Sequence, residues 1–300
     1  MNKESVSVPN SAKWALMGAC FFWAASFIAT KTALAHVPPL TVVMLRMIIS
    51  SLCFLLWIVL TGRKLPFLGF RWLGRLFFLS LFGTSLHYGI QTIGLQYTTA
   101  SNASIYVATG PISIALIAAF FLKEKFTLKK IIGILFAVIG VLTVMGKETL
   151  LSFQLKGHLL GDLLVFASVF MWGIFTVIGK DETKKINALD LIAIVTFMGT
   201  LYMIPIGLWE MNRHSFSLLT IPADAWISVA FLGITCSFLA TVLYFIALQK
   251  TESQKVGVYL YTIPPMTYII AALVLGETIT LNLILGSLVV MAGVYLTEKG

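Results

Sequence analysis

Polar and aromatic side chains recur at helical spacing inside apolar stretches of this sequence, where polar groups are costly. Trp23, Phe27 and Lys31 follow one another at intervals of four residues and therefore share one face of a helix. His87 and Gln91 have the same spacing in a later stretch. Polar groups in such stretches usually face a cavity or a partner helix. These residues are therefore candidates for binding a small polar solute.

Each of the most distinctive candidates has two interpretations. Arg46 lies about seven residues into its stretch, roughly 10 Å deep at 1.5 Å per residue, and either binds an anionic group of a substrate or pairs with a buried carbonyl. Lys31 either binds substrate or extends to the membrane interface. His87 either relays a proton or is a hydrogen-bonded interior histidine. Trp23 and Trp172 either stack on a substrate or pack for stability.

The motif Tyr-x-x-Thr-x-Pro occurs at residues 106–111 and again at 259–264. Each Thr-x-Pro step predicts a kink that frees backbone carbonyls, and such breaks often serve binding sites in transporters. The position of each candidate along its predicted span gives its depth in the membrane. Some candidates lie in the outer half of their spans and others in the inner half, and Trp23 and Trp172 lie near the midplane. The candidate binding or pathway residues are Trp23, Lys31, Arg46, His87, Gln91, Tyr106, Thr109, Trp172, Tyr244, Tyr259, Thr262 and Pro264.

The stretches that carry these residues predict membrane helices. The chain is 59% hydrophobic and 11% charged, with a mean hydropathy of +0.95, whereas a soluble domain carries about 25% charged residues. About 20 residues of helix span the hydrocarbon core, and strands of a barrel would alternate in polarity, which these blocks do not. The first stretch lacks a following cleavage site, so we expect it to be retained. The predicted spans are 13–34, 39–60, 72–95, 101–122, 129–146, 157–179, 187–209, 224–249, 255–275 and 282–297.

The net charge of +9 is distributed as in a membrane protein and does not indicate nucleic-acid binding. With the N-terminus in the cytoplasm, 16 of the 21 lysines and arginines fall inside, 3 fall outside and 2 lie within spans. This bias is what the positive-inside rule expects. It predicts a multi-pass protein of the bacterial inner (plasma) membrane with both termini in the cytoplasm.

The second half of the chain repeats the first in the opposite orientation. Residues 95–142 and 248–295 share 18 identities in 48 ungapped positions at an offset of 153, and a weaker match at an offset of 149 pairs Trp23 with Trp172 and Lys31 with Lys180. Five helices per half require opposite insertion, and the basic loop at 123–130 matches a loop at 276–283 without lysine. The sequence predicts an all-α integral membrane protein of ten helices in two inverted five-helix repeats, at 13–146 and 157–297. Inverted repeats are typical of transporters.

Several classes of function are disfavoured by what these spans contain. Asp162, Asp190, Glu210 and Asp224 all lie near span ends, so no carboxylate marks an acidic proton carrier. No catalytic motif, paired intramembrane aspartates or Walker motif is present, which argues against an enzyme or an ATP-driven pump. The three cysteines are scattered over predicted spans and indicate packing rather than a metal or redox site. We expect no cofactor. Glu124 and Glu277 are expected to cap the helices that follow them.

These features resemble the drug/metabolite transporter superfamily, in particular its EamA-type ten-helix members. The resemblance rests on residues 22–31, Leu45-Arg46, 122–125, 161–172 and 264–277, and covers nearly the whole chain. It implies a secondary transporter, an exporter of amino acids or related small polar metabolites that works by alternating access through a central cavity. Ile263 stands where such proteins often carry an acidic residue before the proline.

The expected partners are a small polar metabolite and the lipid bilayer, not nucleic acid, with the protein a monomer or a homodimer. The alternatives are a carrier of another solute, such as a nucleotide sugar, a drug or a purine-like metabolite. From other classes, a channel would need a continuous polar lining, and an intramembrane enzyme would need a catalytic set.

Overall fold

A computed structural model describes residues 10–122, 128–145, 158–250, 256 and 259–299, and these residues form helices joined by turns and loops, with no strand among them. The first half holds α1 (Asn10–Leu34), α2 (Pro39–Thr61), α3 (70–97), α4 (100–122) and α5 (Leu128–Met145). The second half holds α6 (His158–Glu182), α7 (Ala188–Arg213), α8 (Ala223–Lys250), α9 (Ile263–Leu275) and α10 (Leu281–Lys299).

The predicted spans agree with these helices to within four residues, except at the start of α9. The predicted start at 255 lies outside the described residues; residues 256, 259 and 260 are helical, and a turn at Tyr261 and Thr262 separates them from α9. By length and composition α1, α2, α6, α7 and α8 could each cross a membrane, and α5, α9 and α10 contain shorter apolar stretches. Large apolar side chains such as Leu56, Leu135 and Leu273 are exposed, as expected of a surface in contact with lipid.

The N-terminus of α2 is capped by a residue from a distant part of the chain. Pro39 occupies the first turn, where its fixed φ suits a helix and its missing N–H is no loss. No side chain at the start of α2 caps the helix. Instead the Glu210 carboxylate of α7 accepts hydrogen bonds from the backbone N–H of Leu40 at 3.2 Å and of Thr41 at 2.6 Å. A carboxylate at a helix N-terminus also interacts favourably with the helix dipole.

Helices α3 and α8 each contain a π-helical segment, and the two segments occupy matched positions. In α3 the segment is Leu81–Leu86, and in α8 it is Leu232–Ala240. The repeat offset of 153 carries 81–86 to 234–239, which lies inside the second segment. Short π segments often occur at functional sites. Both halves therefore place the same irregularity in their third helix.

The repeated Tyr-x-x-Thr-x-Pro motif also forms the same structure twice. The Thr109 hydroxyl donates to the carbonyl oxygen of Tyr106 at 2.6 Å, and the Thr262 hydroxyl donates to that of Tyr259 at 2.7 Å. Helix α4 is interrupted at Thr109, and Thr262 directly precedes α9. The predicted break is therefore present in both halves.

Glycines bring α5 and α10 into close contact. A Cβ atom on Gly140 would lie 2.8 Å from the carbonyl oxygen of Gly286, and one on Gly293 would lie 2.5 Å from that of Gly133. Gly133 matches Gly286 and Gly140 matches Gly293 in the repeat. Each contact thus joins one member of each matched pair, as a two-fold relation between the halves requires.

The matched π segments, the matched helix breaks and the paired glycines agree with the repeat in the sequence. The chain is an all-α integral membrane protein of ten helices, arranged as two inverted five-helix repeats. We call the end of the bundle that carries residues 35–38 the outer end and the opposite end the inner end, after the orientation that the charge bias predicts.

The role predicted for Glu277 is wrong. Its carboxylate accepts from the backbone N–H of Ala100 at 2.8 Å and of Ser101 at 3.0 Å, so it caps α4 in the other half of the chain. The cap near the start of α10 comes instead from Thr280, whose hydroxyl accepts from the N–H of Leu283 at 3.2 Å. The inverted arrangement brings the start of α4 beside the loop after α9, a contact that local sequence does not reveal. Glu124 lies outside the described residues.

Candidate substrate cavity

A cavity lined by polar and aromatic side chains lies between helices of both halves. Its empty volume is about 570 Å³, a figure that includes the space at its opening. Residues from α1, α2, α3 and α4 meet residues from α6 and the chain before α9 around it. Its lining comprises Trp23, Ser26, Phe27, Arg46, His87, Tyr88, Gln91, Val107, Val169, Trp172 and Leu260.

Arg46 supplies the charge in this cavity. The side chain is 3% exposed, its Nε donates to the Ser237 hydroxyl at 2.9 Å, and its guanidinium carbon lies 4.1 Å from the centre of the Tyr88 ring. A guanidinium stacked on an aromatic ring gains a cation–π interaction. Among the described residues no carboxylate lies within ion-pair distance of Arg46, and none accepts a hydrogen bond from its two terminal nitrogens. The cavity therefore holds a cation without a counter-ion from the described part of the chain.

His87 and Gln91 add neutral polar groups on one face of α3. The Nδ1 of His87 lies 3.0 Å from the carbonyl oxygen of Ser168. Because a carbonyl only accepts, Nδ1 carries the proton of this hydrogen bond. In the neutral ring, Nε2 is then an acceptor. The helical spacing predicted from the sequence thus brings two of the candidates to one wall of the cavity.

Trp23 and Trp172 form the aromatic floor of the cavity. Their ring centroids are 5.5 Å apart at an interplanar angle of 83°, an edge-to-face contact. Tyr244 packs beneath them, with its ring 5.2 Å from Trp23 and 5.7 Å from Trp172. Since Trp23 and Trp172 are matched in the repeat, their contact lies on the axis that relates the two halves.

A smaller cavity of about 250 Å³ lies on the other side of Tyr88 and Trp172, which line both cavities. Several of its lining residues are matched across the repeat: Met47 with Thr196, Thr84 with Ser237, and Tyr88 with Thr241. Matched residues can share one small space only near the axis between the halves. Both cavities therefore reach the middle of the bundle.

The larger cavity extends from this axis towards the outer end only. Its residues Ser26, Phe27, Arg46, His87 and Gln91 come from the outer parts of α1, α2 and α3. Their matched residues in the inner half are each 1% exposed or less, and two of them, Phe175 and Val195, line the smaller cavity. These matched residues are Phe175, Thr176, Val195, Ala240 and Tyr244. Among the described residues, the larger cavity thus lies on the outer side of the axis, and the matched residues on the inner side do not line it.

Comparison with known proteins decides what class of protein carries this cavity. The sequence pattern of the EamA-like transporter family matches residues 10–146 and 159–298. The chain belongs to the EamA-like transporter family. It is therefore a multi-pass membrane transporter and not an enzyme.

Curated relatives carry the same general description. An "Uncharacterized transporter" of Archaeoglobus fulgidus is 32% identical over 277 residues, which cover 92% of this chain and 93% of that protein. The "Uncharacterized transporter YoaV" of Bacillus subtilis is 27% identical over 286 residues, which cover 94% of each. A chain in a crystal structure shares the fold at a TM-score of 0.70 and 17% identity, covering 96% of this chain and 97% of its own length.

Six of the twelve candidate residues of this EamA-like transporter lie in or directly below the larger cavity. Trp23, Arg46, His87, Gln91 and Trp172 line it, and Tyr244 packs under its floor. The other six lie elsewhere, in contacts between helices or at helix breaks. They are Lys31, Tyr106, Thr109, Tyr259, Thr262 and Pro264.

Lys31 joins α1 to the end of α3. Its ammonium donates to the carbonyl oxygens of Leu95 at 3.0 Å and Thr98 at 2.9 Å. These are among the carbonyls that the end of a helix leaves without an intrahelical partner. A cation at this position also interacts favourably with the helix dipole. Lys31 thus holds a helix end rather than lining the cavity.

The tyrosines of the repeated motif are packed between helices. Tyr106 is fully buried, and its hydroxyl faces the carboxylate of Asp162. Asp162 is itself 1% exposed and accepts a hydrogen bond from the Thr98 hydroxyl. The backbone carbonyl of Tyr259 accepts from the Cys20 thiol at 3.2 Å. The motif therefore shapes contacts beside the cavity.

Sequence reasoning did not select Tyr88, Ser237 or Ser26 as site residues, although all three contribute to the site. Tyr88 stacks on Arg46, Ser237 accepts its hydrogen bond, and Ser26 lines the cavity. The signal for Tyr88 was its place beside His87 on the polar face of α3. Ser237 lies 191 residues from Arg46, and its signal in the sequence was the spacing that places it with Thr241 and Tyr244 on one polar face of α8.

Proposed function

We propose that this transporter exports an amino acid or a related small polar metabolite across the plasma membrane by alternating access of the Arg46 cavity. The observation that carries the proposal is the cavity itself. It reaches the axis between the halves and extends from there on the outer side, whereas the matched described residues on the inner side are buried and do not line it. Because the two halves are inverted repeats, the cavity could form on the outer side or on the inner side of the axis. The two arrangements would be states of similar energy.

The chemistry of the cavity suits a small metabolite. An arginine, a histidine and a glutamine lie beside two tryptophans and a phenylalanine, which is the usual mixture of apolar walls and few polar groups in small-molecule sites. Export is the direction that the resemblance of the sequence motifs implies, and the charge bias supports cytoplasmic termini.

A transport screen tests the proposal. Purified protein is reconstituted in liposomes without nucleotide, and the movement of amino acids, their deaminated and decarboxylated analogues, and nucleotide sugars is followed by mass spectrometry. We expect saturable movement of at least one small metabolite, reduced about tenfold or more by Arg46→Gln. Arg213→Gln is the matched control, because Arg213 lies at the end of α7 outside the cavity.

If only nucleotide sugars move, the proposed substrate class is wrong. Rates that do not saturate, at channel-like magnitude, would contradict the carrier mechanism. Movement of no compound in the panel would remove the support for a small polar metabolite as the substrate.

A further inference from the structure

The two terminal nitrogens of Arg46 are hydrogen-bond donors without an acceptor among the described residues. The side chain is 3% exposed and lines the larger cavity. Its Nε is already used by Ser237, and the described residues offer the two terminal nitrogens no hydrogen-bond acceptor and the guanidinium no carboxylate. A buried charge is costly unless it is paired. A planar oxyanion could meet both terminal nitrogens at once, as carboxylates do in bidentate pairs.

The fold itself does not require this charge. The repeat matches Arg46 with Val195 at the offset of 149, and Val195 is 0% exposed in the inner half. An aliphatic side chain therefore suffices to pack the same position of the same helix in the other half. His87 and Gln91 likewise match Ala240 and Tyr244 at the offset of 153. The side chains of Arg46, His87 and Gln91 therefore occur in one half of the chain and have no equivalent in the other.

The described residues of the lining carry no negative charge that could balance a positive group on a ligand. The remaining polar side chains that line the cavity are those of Ser26, His87, Tyr88 and Gln91, and all others are aromatic or aliphatic. None of these lining residues is a carboxylate. An ammonium group in the same cavity would also be repelled by the nearby guanidinium. The cavity suits a negative charge and an apolar body, and it disfavours a zwitterion.

We propose that the substrate is an organic anion without an ammonium group, a carboxylate whose oxygens bind the terminal nitrogens of Arg46. Its apolar body lies against Trp23, Phe27 and Trp172, and His87 and Gln91 bind any further polar group that it carries. The inference rests on the proposed function and narrows it, from amino acids and related metabolites to the carboxylates among them.

Binding of three compounds that differ only in their charged groups tests this inference. 3-Phenylpropionate, phenylalanine and 2-phenylethylamine share one ring, and 4-methylpentanoate, leucine and 3-methylbutylamine form a second series with an aliphatic body. Binding to purified full-length protein is measured by quenching of tryptophan fluorescence and checked by calorimetry. We expect the carboxylate of at least one series to bind about tenfold or more tightly than the amino acid, and the amine not to bind.

Variants at position 46 assign the effect to the arginine. Arg46→Gln removes the charge, and we expect the preference for the carboxylate over the amino acid to disappear. Arg46→Lys keeps the charge but loses the planar pair of donors, so we expect an intermediate preference. Arg213→Gln is the control and should keep the wild-type preference. Size-exclusion profiles and thermal midpoints show whether each variant is folded.

A measurement on the wild-type protein covers the case in which the variants do not fold. An anion that moves alone carries charge, whereas a zwitterion does not. We therefore expect the rate of carboxylate transport in liposomes to change with an imposed potassium diffusion potential.

Three outcomes would overturn the inference: an amino acid that binds as tightly as its carboxylate, a carboxylate preference that Arg46→Gln leaves intact, or no binding in either series. If zwitterions are transported, the proposed function stands and this inference fails. If the carboxylate binds at Arg46 but no compound crosses the membrane, the binding site stands and the proposed function fails.

Discussion

Trp23 and Trp172 occupy equivalent positions in the two halves of the chain and contact each other edge to face, with ring centroids 5.5 Å apart. Two residues related by an approximate two-fold axis can touch only at that axis. The contact therefore marks the centre of the transporter, and the larger cavity ends on it. The side chain of Trp172 also lines the smaller cavity and separates the two spaces.

Trp172→Ala is expected to join the two cavities. Removing the indole leaves Tyr88 as the remaining side chain that lines both spaces, and a buried aromatic-to-alanine change costs about 3–5 kcal/mol. We expect a lower thermal midpoint. We also expect small solutes trapped in liposomes to leak out faster, even when no substrate gradient is applied. Trp209→Ala, at a residue that is 56% exposed, is the control and should change neither quantity appreciably.

Glu210→Gln is expected to destabilise the start of α2. The carboxylate accepts from two backbone N–H groups and from the Thr41 hydroxyl at 2.9 Å, and an amide replaces one of its oxygens with a donor. Leaving a buried N–H without an acceptor costs about 1–3 kcal/mol. Thermal unfolding in detergent measures the effect. Asp224→Asn, at an exposed carboxylate, should be neutral, and an equal loss in both variants would contradict the capping role.

Gly140→Ala is expected to separate α5 from α10. The added methyl group would lie 2.6 Å from the backbone nitrogen of Val290 and 2.8 Å from the carbonyl oxygen of Gly286, too close for either helix to stay in place. Overpacking of this kind costs about 1–3 kcal/mol. Gly74→Ala is the matched control, because nothing lies within 4 Å of its added Cβ. Equal thermal midpoints for the two variants would show that α5 and α10 are not held as described.

Lys31→Met is expected to affect stability rather than substrate binding. The ammonium holds two carbonyl oxygens at the end of α3 and does not line the cavity. The substitution keeps an unbranched side chain and removes the donor, so the thermal midpoint should fall by an amount equivalent to about 1–2 kcal/mol. The dissociation constant of a bound substrate should change less than it does in Arg46→Gln. A larger change in affinity for Lys31→Met would assign Lys31 to the binding site.

The helices of this protein could be predicted from the sequence because their signal is local. Twenty apolar residues between polar breaks define a span whatever its neighbours are, and the observed ends of α2 and α8 differ from the prediction by one residue at most. The inverted repeat was also visible, since matched residues such as Gly140 and Gly293 keep their identity. The meeting of Trp23 with Trp172 near the midplane followed from the same repeat.

The features that the sequence did not reveal depend on contacts between distant segments. The sequence does not mark the π segment of α8, and the hydrogen bond between Ser237 in this segment and Arg46 is seen only in the structure. Glu277 caps a helix 177 residues away, so its position before α10 was misleading. Lys31 shares a helix face with Trp23 and Phe27 but lies one turn beyond the cavity, a distance that spacing along one helix cannot resolve.

Thiol labelling can show whether the cavity alternates between the two sides of the membrane. In a background with Cys20, Cys53 and Cys236 replaced by alanine, a cysteine is introduced at Gln91 in the outer half or at Thr176 in the inner half. An impermeant maleimide is added to one side of oriented vesicles at a time, with and without a transported solute. We expect Gln91→Cys to react from the outer side in the absence of solute and Thr176→Cys to become reactive from the inner side during transport. Reaction of both positions from their own sides without solute, or no change at either position during transport, would contradict the account.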